Sequence, residues 1–260
     1  MLPLVENPAS ASISDKVLIL QNITHEGPGL LLDLLHERSI GFECCDLSKE
    51  EMIPDPGSYA CVVVLGGPQS ANDTTPSMAL EIRRVREILD VGIPCLGICL
   101  GLQVMVKAAG GSVVSSPTKE TGFHEPDGTP YSVTLTPDGR RDPLFKGLPD
   151  RVRVFQLHGE TIVPAAGMTL LGTGAGCRNQ AVRIGRRAWG LQCHFEMTRD
   201  MFESWTHVDP DLRRMDRENL LTEFDRIREE YTETGRRLLS NFLESAGFAE
   251  AGRATPEGRL

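Results

Sequence analysis

Residues 94–111 read PCLGICLGLQVMVKAAGG, and the character of the chain changes at Cys99. From Pro94 to Ile98 the run is short and apolar, as a buried strand requires. From Leu100 to Ala109 the apolar side chains follow helical spacing instead, and Gly110-Gly111 ends the helix. Cys99 stands at the junction, between Gly97 and Gly101, as the thiol counterpart of the Gly-x-Ser-x-Gly nucleophile elbow. A nucleophile in so sharp a turn needs neighbours without side chains, because the backbone folds tightly around it. The following helix aims its first amides and the positive end of its dipole at the sulfur, which favours a thiolate and can hold an oxyanion. The alternative is a structural cysteine between packing glycines, the common state of a buried free thiol. Position favours the nucleophile, since the C-terminal ends of parallel strands are where open α/β sheets bind ligands. Of the other cysteines, Cys61, Cys95 and Cys193 fall inside expected strands, Cys44-Cys45 ends one, and Cys177 sits in a polar loop.

The same strand-then-helix unit repeats on the N-terminal side. Lys16 to Asn22, Phe42 to Asp46 and Cys61 to Leu65 read as buried strands. Gly29 to Arg38 and Met78 to Val91 carry apolar residues at helical spacing between them. Short links between such units imply a parallel sheet covered on both sides. After residue 112 strands follow one another without helices: Ser112 to Val114, Tyr131 to Thr136, Val152 to Leu157, Met168 to Leu171, Gln180 to Ile184 and Trp189 to Cys193. Arg199 to Phe248 is charged and helical, with a break near Asp209-Pro210. The expected fold is α/β, a flavodoxin-like three-layer sandwich with a mostly parallel central sheet, a β-rich second half and a C-terminal helical extension. Residues 1–15 and 249–260 are expected as flexible tails, 16–201 as the catalytic domain and 202–248 as its helical extension.

Bulk properties exclude several functions. A formal charge of −9 repels phosphate backbones, so no nucleic-acid partner is expected. No apolar run is long enough to cross a bilayer, and the first residues lack the basic start and apolar centre of a secretory signal. Seven cysteines without framework spacing, in a chain of 260 residues, suit reduced thiols and a cytoplasmic location.

A thiolate needs a base, and the base needs an orienting partner. His194-Phe195-Glu196 follows the strand Trp189 to Cys193. Residues two apart on extended backbone point the same way, so Glu196 can hold the imidazole of His194 while that ring exchanges the proton. Gly66-Gly67-Pro68, after the strand Cys61 to Leu65, has two readings of equal weight. It is either a plain turn out of the strand or a close backbone approach in which Gly67 N–H joins Leu100 N–H as an oxyanion hole. His25, His36, His124 and His207 show no metal-ligand spacing, and neither a metal nor a cofactor is expected. Glu160, near His158, competes as the third member of a triad. A hydrogen-bonded loop beside the pocket is the preferred reading for that pair.

Taken in order, GGPQSA (66–71), GICLGLQ (97–103), QLHGE (156–160) and GLQCHFEMT (190–198) resemble the class I, triad-type glutamine amidotransferases. Within these, the similarity is to the stand-alone group akin to the amidotransferase domain of GMP synthase, from about Lys16 to Met201. The resemblance implies attack of Cys99 on the side-chain amide of glutamine, helped by His194 and Glu196, through a thioester that water then hydrolyses. It implies oxyanion amides from Gly67 and Leu100. It also implies substrate contacts from Gly66, Gln103, Phe155, Gln156, Leu157 and His158. Lys119 to Phe123 resembles the family's Glu-x-Gly-aromatic stretch, to which a structural role is given. Phe195 replaces the usual proline of His-Pro-Glu but keeps the His-to-Glu spacing. No Gly-rich phosphate loop or second α/β domain is recognised, so the ammonia acceptor is expected to be a separate protein. The rival activities are a γ-glutamyl peptidase and a regulatory homologue without turnover. The amphipathic C-terminal segment is expected to pack on its own domain, the alternative being a docking face for a synthase or a second copy.

Overall fold

The computed structural model describes residues 14–248. The expected tails lie outside the described residues, except that Ser14 and Asp15 already belong to the first strand. Strand β1 (Ser14–Gln21), helix α1 (Leu30–Glu37), β2 (Gly41–Asp46), β3 (Tyr59–Val64), α2 (Pro76–Val91), β4 (Cys95–Ile98) and α3 (Leu100–Ala108) alternate as their periodicities predict. Strands β5 (Ser112–Gly122), β6 (Ser132–Leu135), β7 (Arg151–Arg153), β8 (Gln156–Val163), β9 (Met168–Thr173), β10 (Ala181–Ile184) and β11 (Ala188–Leu191) follow. Helices α4 (Arg199–Val208) and α5 (Arg217–Ala246) come last, separated where Asp209-Pro210 predicts a break.

Nine strands form one sheet in the order β2-β1-β3-β4-β11-β10-β9-β6-β7. The five from β2 to β11 run parallel, and the pairings from β11 to β7 are antiparallel. The parallel strands are apolar on both faces because both are covered. In β1, Val17 and Ile19 face a core shared with α1 and α5, while Leu18 and Leu20 face one shared with α2 and α3. β3 divides in the same way, with Cys61 and Val63 on the first face and Val62 and Val64 on the second.

Two strand expectations need correction. Ser112 to Val114 is only the start of an eleven-residue strand, β5, which pairs antiparallel with β8 in a two-stranded ribbon outside the main sheet. Its polar middle, largely exposed, has no apolar alternation to reveal it. Val152 to Leu157 is two strands. β7 closes the edge of the main sheet, β8 enters the ribbon, and Phe155 lies at the crossing, bridged to His194. An apolar run carries no mark of where it changes sheets.

The C-terminal helices wrap the body. Along α5, Leu238, Leu239, Phe242 and Leu243 pack with α1 against one sheet face. Leu220, Phe224, Ile227 and Tyr231 join Phe123, Phe155, Phe202 and Trp205 of α4 and the ribbon side in an aromatic core. The apolar stripe of this segment is thus buried in its own chain.

At the β4–α3 junction the sheet and helix nearly touch. A Cβ added to Gly101 would stand 2.0 Å from the Val64 carbonyl oxygen, on the backbone of the neighbouring strand. Gly101→Ala is therefore expected to lower stability by more than about 2 kcal/mol, because neither backbone can give way without disturbing the sheet. Urea denaturation would measure it, and an unchanged midpoint would contradict this packing.

Candidate active site

Cys99 occupies the N-cap of α3 with φ +51° and ψ −107°, a left-handed conformation rare for a side chain with a Cβ. Its N–H donates to the Leu191 carbonyl at 2.8 Å, which ties the turn to the end of β11. The first-turn amides of α3 have no acceptor within the helix. The remaining buried thiols are poor nucleophiles. Burial pushes Cys61 up to about 12, and drives Cys95 and Cys193 higher still.

β11 ends three residues before His194, and so its pairing with β4 brings the ring toward Cys99. His194 and Glu196 are almost fully buried, and His194 Nδ1 meets Glu196 Oε1 at 2.7 Å. The other carboxylate oxygen accepts from the Phe195 N–H at 2.9 Å, which holds the group without the missing proline. Trp205 stands edge-on to the imidazole with centroids 5.0 Å apart, and its indole N–H donates to the His25 carbonyl at 2.8 Å. Burial alone would lower the His194 value. The Glu196 carboxylate and the adjacent Cys99 sulfur outweigh it, and the imidazole is held well above its ordinary range.

A cavity of about 420 Å³ opens over these groups. Cys99, His194, Gly67, Leu100, Gln103, Leu157 and His158 line it, so seven of the eleven side chains or backbones expected at the site meet there. Gly66 and Glu196 lie immediately behind: Glu196 on the ring's far nitrogen, Gly66 packed against His194 and Cys99. Phe155 and Gln156 do not reach the cavity. Phe155 is held in the aromatic core at the sheet crossing, and Gln156 is buried opposite Gly122 in the ribbon. Both therefore support the site from outside it. Gln103 Nε2 lies 3.3 Å from Gln192 Oε1, and Gln192 Nε2 lies 3.7 Å from the Cys99 sulfur.

His158 and Glu160 are not in a loop but on β8. His158 Nε2 pairs with Glu120 Oε2 at 3.0 Å, and Nδ1 is 3.0 Å from the Glu160 carbonyl. Glu160 thus contacts His158 through its backbone, while its carboxylate accepts from the Ser70 hydroxyl. Glu120 belongs to the stretch given a structural role from sequence. Its carboxylate accepts from His158, from Gln180 Nε2 at 3.0 Å and from the Cys177 N–H at 2.8 Å. Glu120, His158 and Cys177 offer donor atoms within 4.8 Å of one another, a spacing that could hold a metal. Each is already engaged in this buried network, with the Cys177 sulfur 3.1 Å from the Thr161 hydroxyl. Neither Glu120 nor Cys177 lines the cavity.

Glu26, Gln192 and Trp205 are among the residues of the site that sequence reading missed. Glu26 had a usable signal, since it leaves the C-terminal end of a parallel strand beside the ligand-binding edge. Its carboxyl lines the cavity while the residue is largely buried. Burial raises it from 4.5 to about 7, against the pull of His194 and with the repulsion of Glu196 and Asp209.

A family model described as Glutamine amidotransferase class-I matches residues 31–204. The glutamine amidotransferase-like protein YfeJ of Salmonella typhimurium is 31% identical over 159 residues, which cover 59% of this chain and 64% of that one. A GMP synthase of Syntrophomonas wolfei is 36% identical over 112 residues, 42% of this chain and 20% of that one. The chain thus spans less than two thirds of the length of either relative. The crystal structure of a glutamine amidotransferase from Thermotoga maritima superposes with a TM-score of 0.78 at 31% identity, over 88% of this chain and 98% of that one.

The unfolded chain releases the Glu26 proton near 4.5, whereas the folded one holds it to about 7. Stability present at low pH is therefore lost as the pH rises through that window. Glu26→Gln removes the titration. It should match the parent at pH 4 and exceed it at pH 8 by on the order of 3 kcal/mol, read from denaturation midpoints at both pH values. Equal stabilities at pH 8 would mean that this carboxyl is hydrated rather than buried.

Proposed function

Since the chain belongs to the class-I glutamine amidotransferase family, we propose that it releases ammonia from the side-chain amide of glutamine through a thioester on Cys99. The observation that carries this reading is the 2.7 Å contact of His194 Nδ1 with Glu196 Oε1, on a ring that shares one cavity with Cys99. With Nδ1 so engaged, Nε2 is the nitrogen left to take the thiol proton. The sulfur adds to the amide carbon, the oxyanion is received by the amides of Gly67 and Leu100, and His194 returns the proton to the departing nitrogen. Water activated by the same ring then cleaves the thioester to glutamate. Gln103, Leu157 and His158 line the part of the cavity that would hold the amino-acid end of the substrate.

The name of the Syntrophomonas wolfei relative describes a glutamine-hydrolysing synthase, of which this chain spans a fifth. That relation supports delivery of ammonia to an acceptor, which can be a synthase; a second copy of the chain is the other partner to consider. Among the described residues no helix is long and apolar enough to cross a membrane. A nucleophilic thiol among seven free cysteines suits a reducing cytoplasm. A second reading has its own support. The cavity volume falls within the range of roughly 300–1,000 Å³ that accepts drug-sized ligands, leaving room for an amine larger than ammonia. The substrate would then be a γ-glutamyl amide.

Glutamate release from glutamine is expected from the purified protein, lost on Cys99→Ala and reduced by about 10²- to 10⁴-fold on His194→Ala. A glutamine-like electrophile should add to Cys99, as located by mass spectrometry. Turnover of γ-glutamyl amides alone would select the second reading. Absence of turnover on both, with Cys99 unlabelled, would leave a homologue without activity.

A further inference from the structure

The reaction proposed above uses Cys99, His194 and Glu196 but leaves Glu26, an acidic side chain of the cavity, without a task. Glu26 sits in the short turn after β1, where its N–H bonds the Ile23 carbonyl at 3.1 Å and the preceding His25 carbonyl is held by Trp205. The turn is therefore anchored on both sides. Among the described residues no side chain or backbone amide donates to the Glu26 carboxyl, which lines the open cavity. The titratable groups facing it are His194, Glu196 and Asp209. An acid placed there, with its acceptor oxygens toward the cavity, can take a hydrogen bond from a ligand that donates one.

Gly66 shows how near Glu26 stands to the reacting groups. A Cβ added to Gly66 would lie 2.6 Å from Glu26 Oε2, 3.1 Å from His194 Cε1 and 3.6 Å from Cys99 Cβ. The acid, the base and the nucleophile thus pack around one glycine, which has no room for a side chain, and all three line the same cavity. The amino-acid end of glutamine lies several bonds from its reacting carbon, so Glu26 is near the reacting end.

We propose that Glu26 is the leaving-group residue of this site, its carboxyl accepting a hydrogen bond from the scissile nitrogen and so turning that nitrogen's lone pair toward His194. This assignment rests on the glutaminase reading. In acylation the Cys99 sulfur bonds to the carbonyl carbon, the C–N bond breaks and its electron pair stays on nitrogen. His194 Nε2 gives nitrogen the proton it took from the thiol, and the amide NH₂ leaves as NH₃. In the tetrahedral intermediate that nitrogen bears two hydrogens and one lone pair. Expulsion needs the lone pair to face the imidazolium N–H. A carboxyl fixed on one N–H sets that orientation.

The test compares two substrates that form the same thioester: glutamine, and the γ-methyl ester of glutamate, whose leaving oxygen bears no hydrogen. Glu26→Met, which keeps the bulk but removes the acceptor, should lower kcat/KM on glutamine about 10- to 100-fold, as loss of a hydrogen bond to a charged group does. The fall should be mainly in kcat, and the ester should be spared to within about threefold. Glu26→Gln, which retains an acceptor oxygen and the shape of the turn, should recover part of the loss. A structural role would depress both substrates by one factor in both variants, and that result overturns the assignment, as does an unchanged glutamine rate. Should the parent protein turn over neither substrate and leave Cys99 unlabelled, the glutaminase reading falls and takes this assignment with it. A common loss in the variants removes the role of Glu26 alone.

Discussion

Helix α3 lies so close to β3 that Gly101 rests under the Val64 carbonyl with no room for a side chain. Just before that contact, between β4 and α3, Cys99 makes a tight turn with a positive φ. The other parts of the site follow from it. β3 runs on into Gly66 and Gly67 beside the turn, and the Cys99 N–H bonds the last carbonyl of β11. β11 in turn delivers His194 and Glu196. Three adjacent parallel strands therefore end around one sulfur, and the sheet's register, more than any side-chain contact, holds nucleophile and base together.

The polar groups collected there are in dry surroundings. Trp205 and Phe155 flank the His194 ring, and the Glu196 carboxylate has the ring and the Phe195 amide as partners. In such a setting an ion pair is strong and an unpaired acid is unfavourable. Glu196 satisfies the first condition, and Glu26 avoids the second by lining the cavity. The aromatic core built by α4 and α5 thus has an electrostatic consequence: it shields the His194–Glu196 pair from water that would weaken it. The C-terminal helices are part of the site's environment although neither contributes a side chain that reacts.

A second grouping of cysteine, histidine and acid lies at the ribbon. Glu120 gathers His158, Gln180 and the Cys177 amide, joining β5 and β8 to the loop before β10. The same residue types serve a different end because of access and backbone. Cys177 has no helix behind it, its thiol is pushed up by burial, and it does not face the cavity. His158 does face the cavity, and the network fixes its ring there.

Much of this was legible from the chain itself. The change of period at Cys99 placed a strand, a turn and a helix, and the spacing of His194 and Glu196 put the ring and its partner on one side of an extended segment. Those are local relations, set by bond geometry and side-chain alternation over a few residues. The tertiary structure alone decided the rest. Whether Phe155 faces substrate or core depends on where a strand leaves one sheet for another, and Glu120 finds His158 only through the ribbon's pairing. Glu26 stands beside His194 only because two distant loops end on the same edge of the sheet. Such contacts join residues tens to more than a hundred positions apart, and no periodicity encodes them, because the chain's local preferences are satisfied equally well without them.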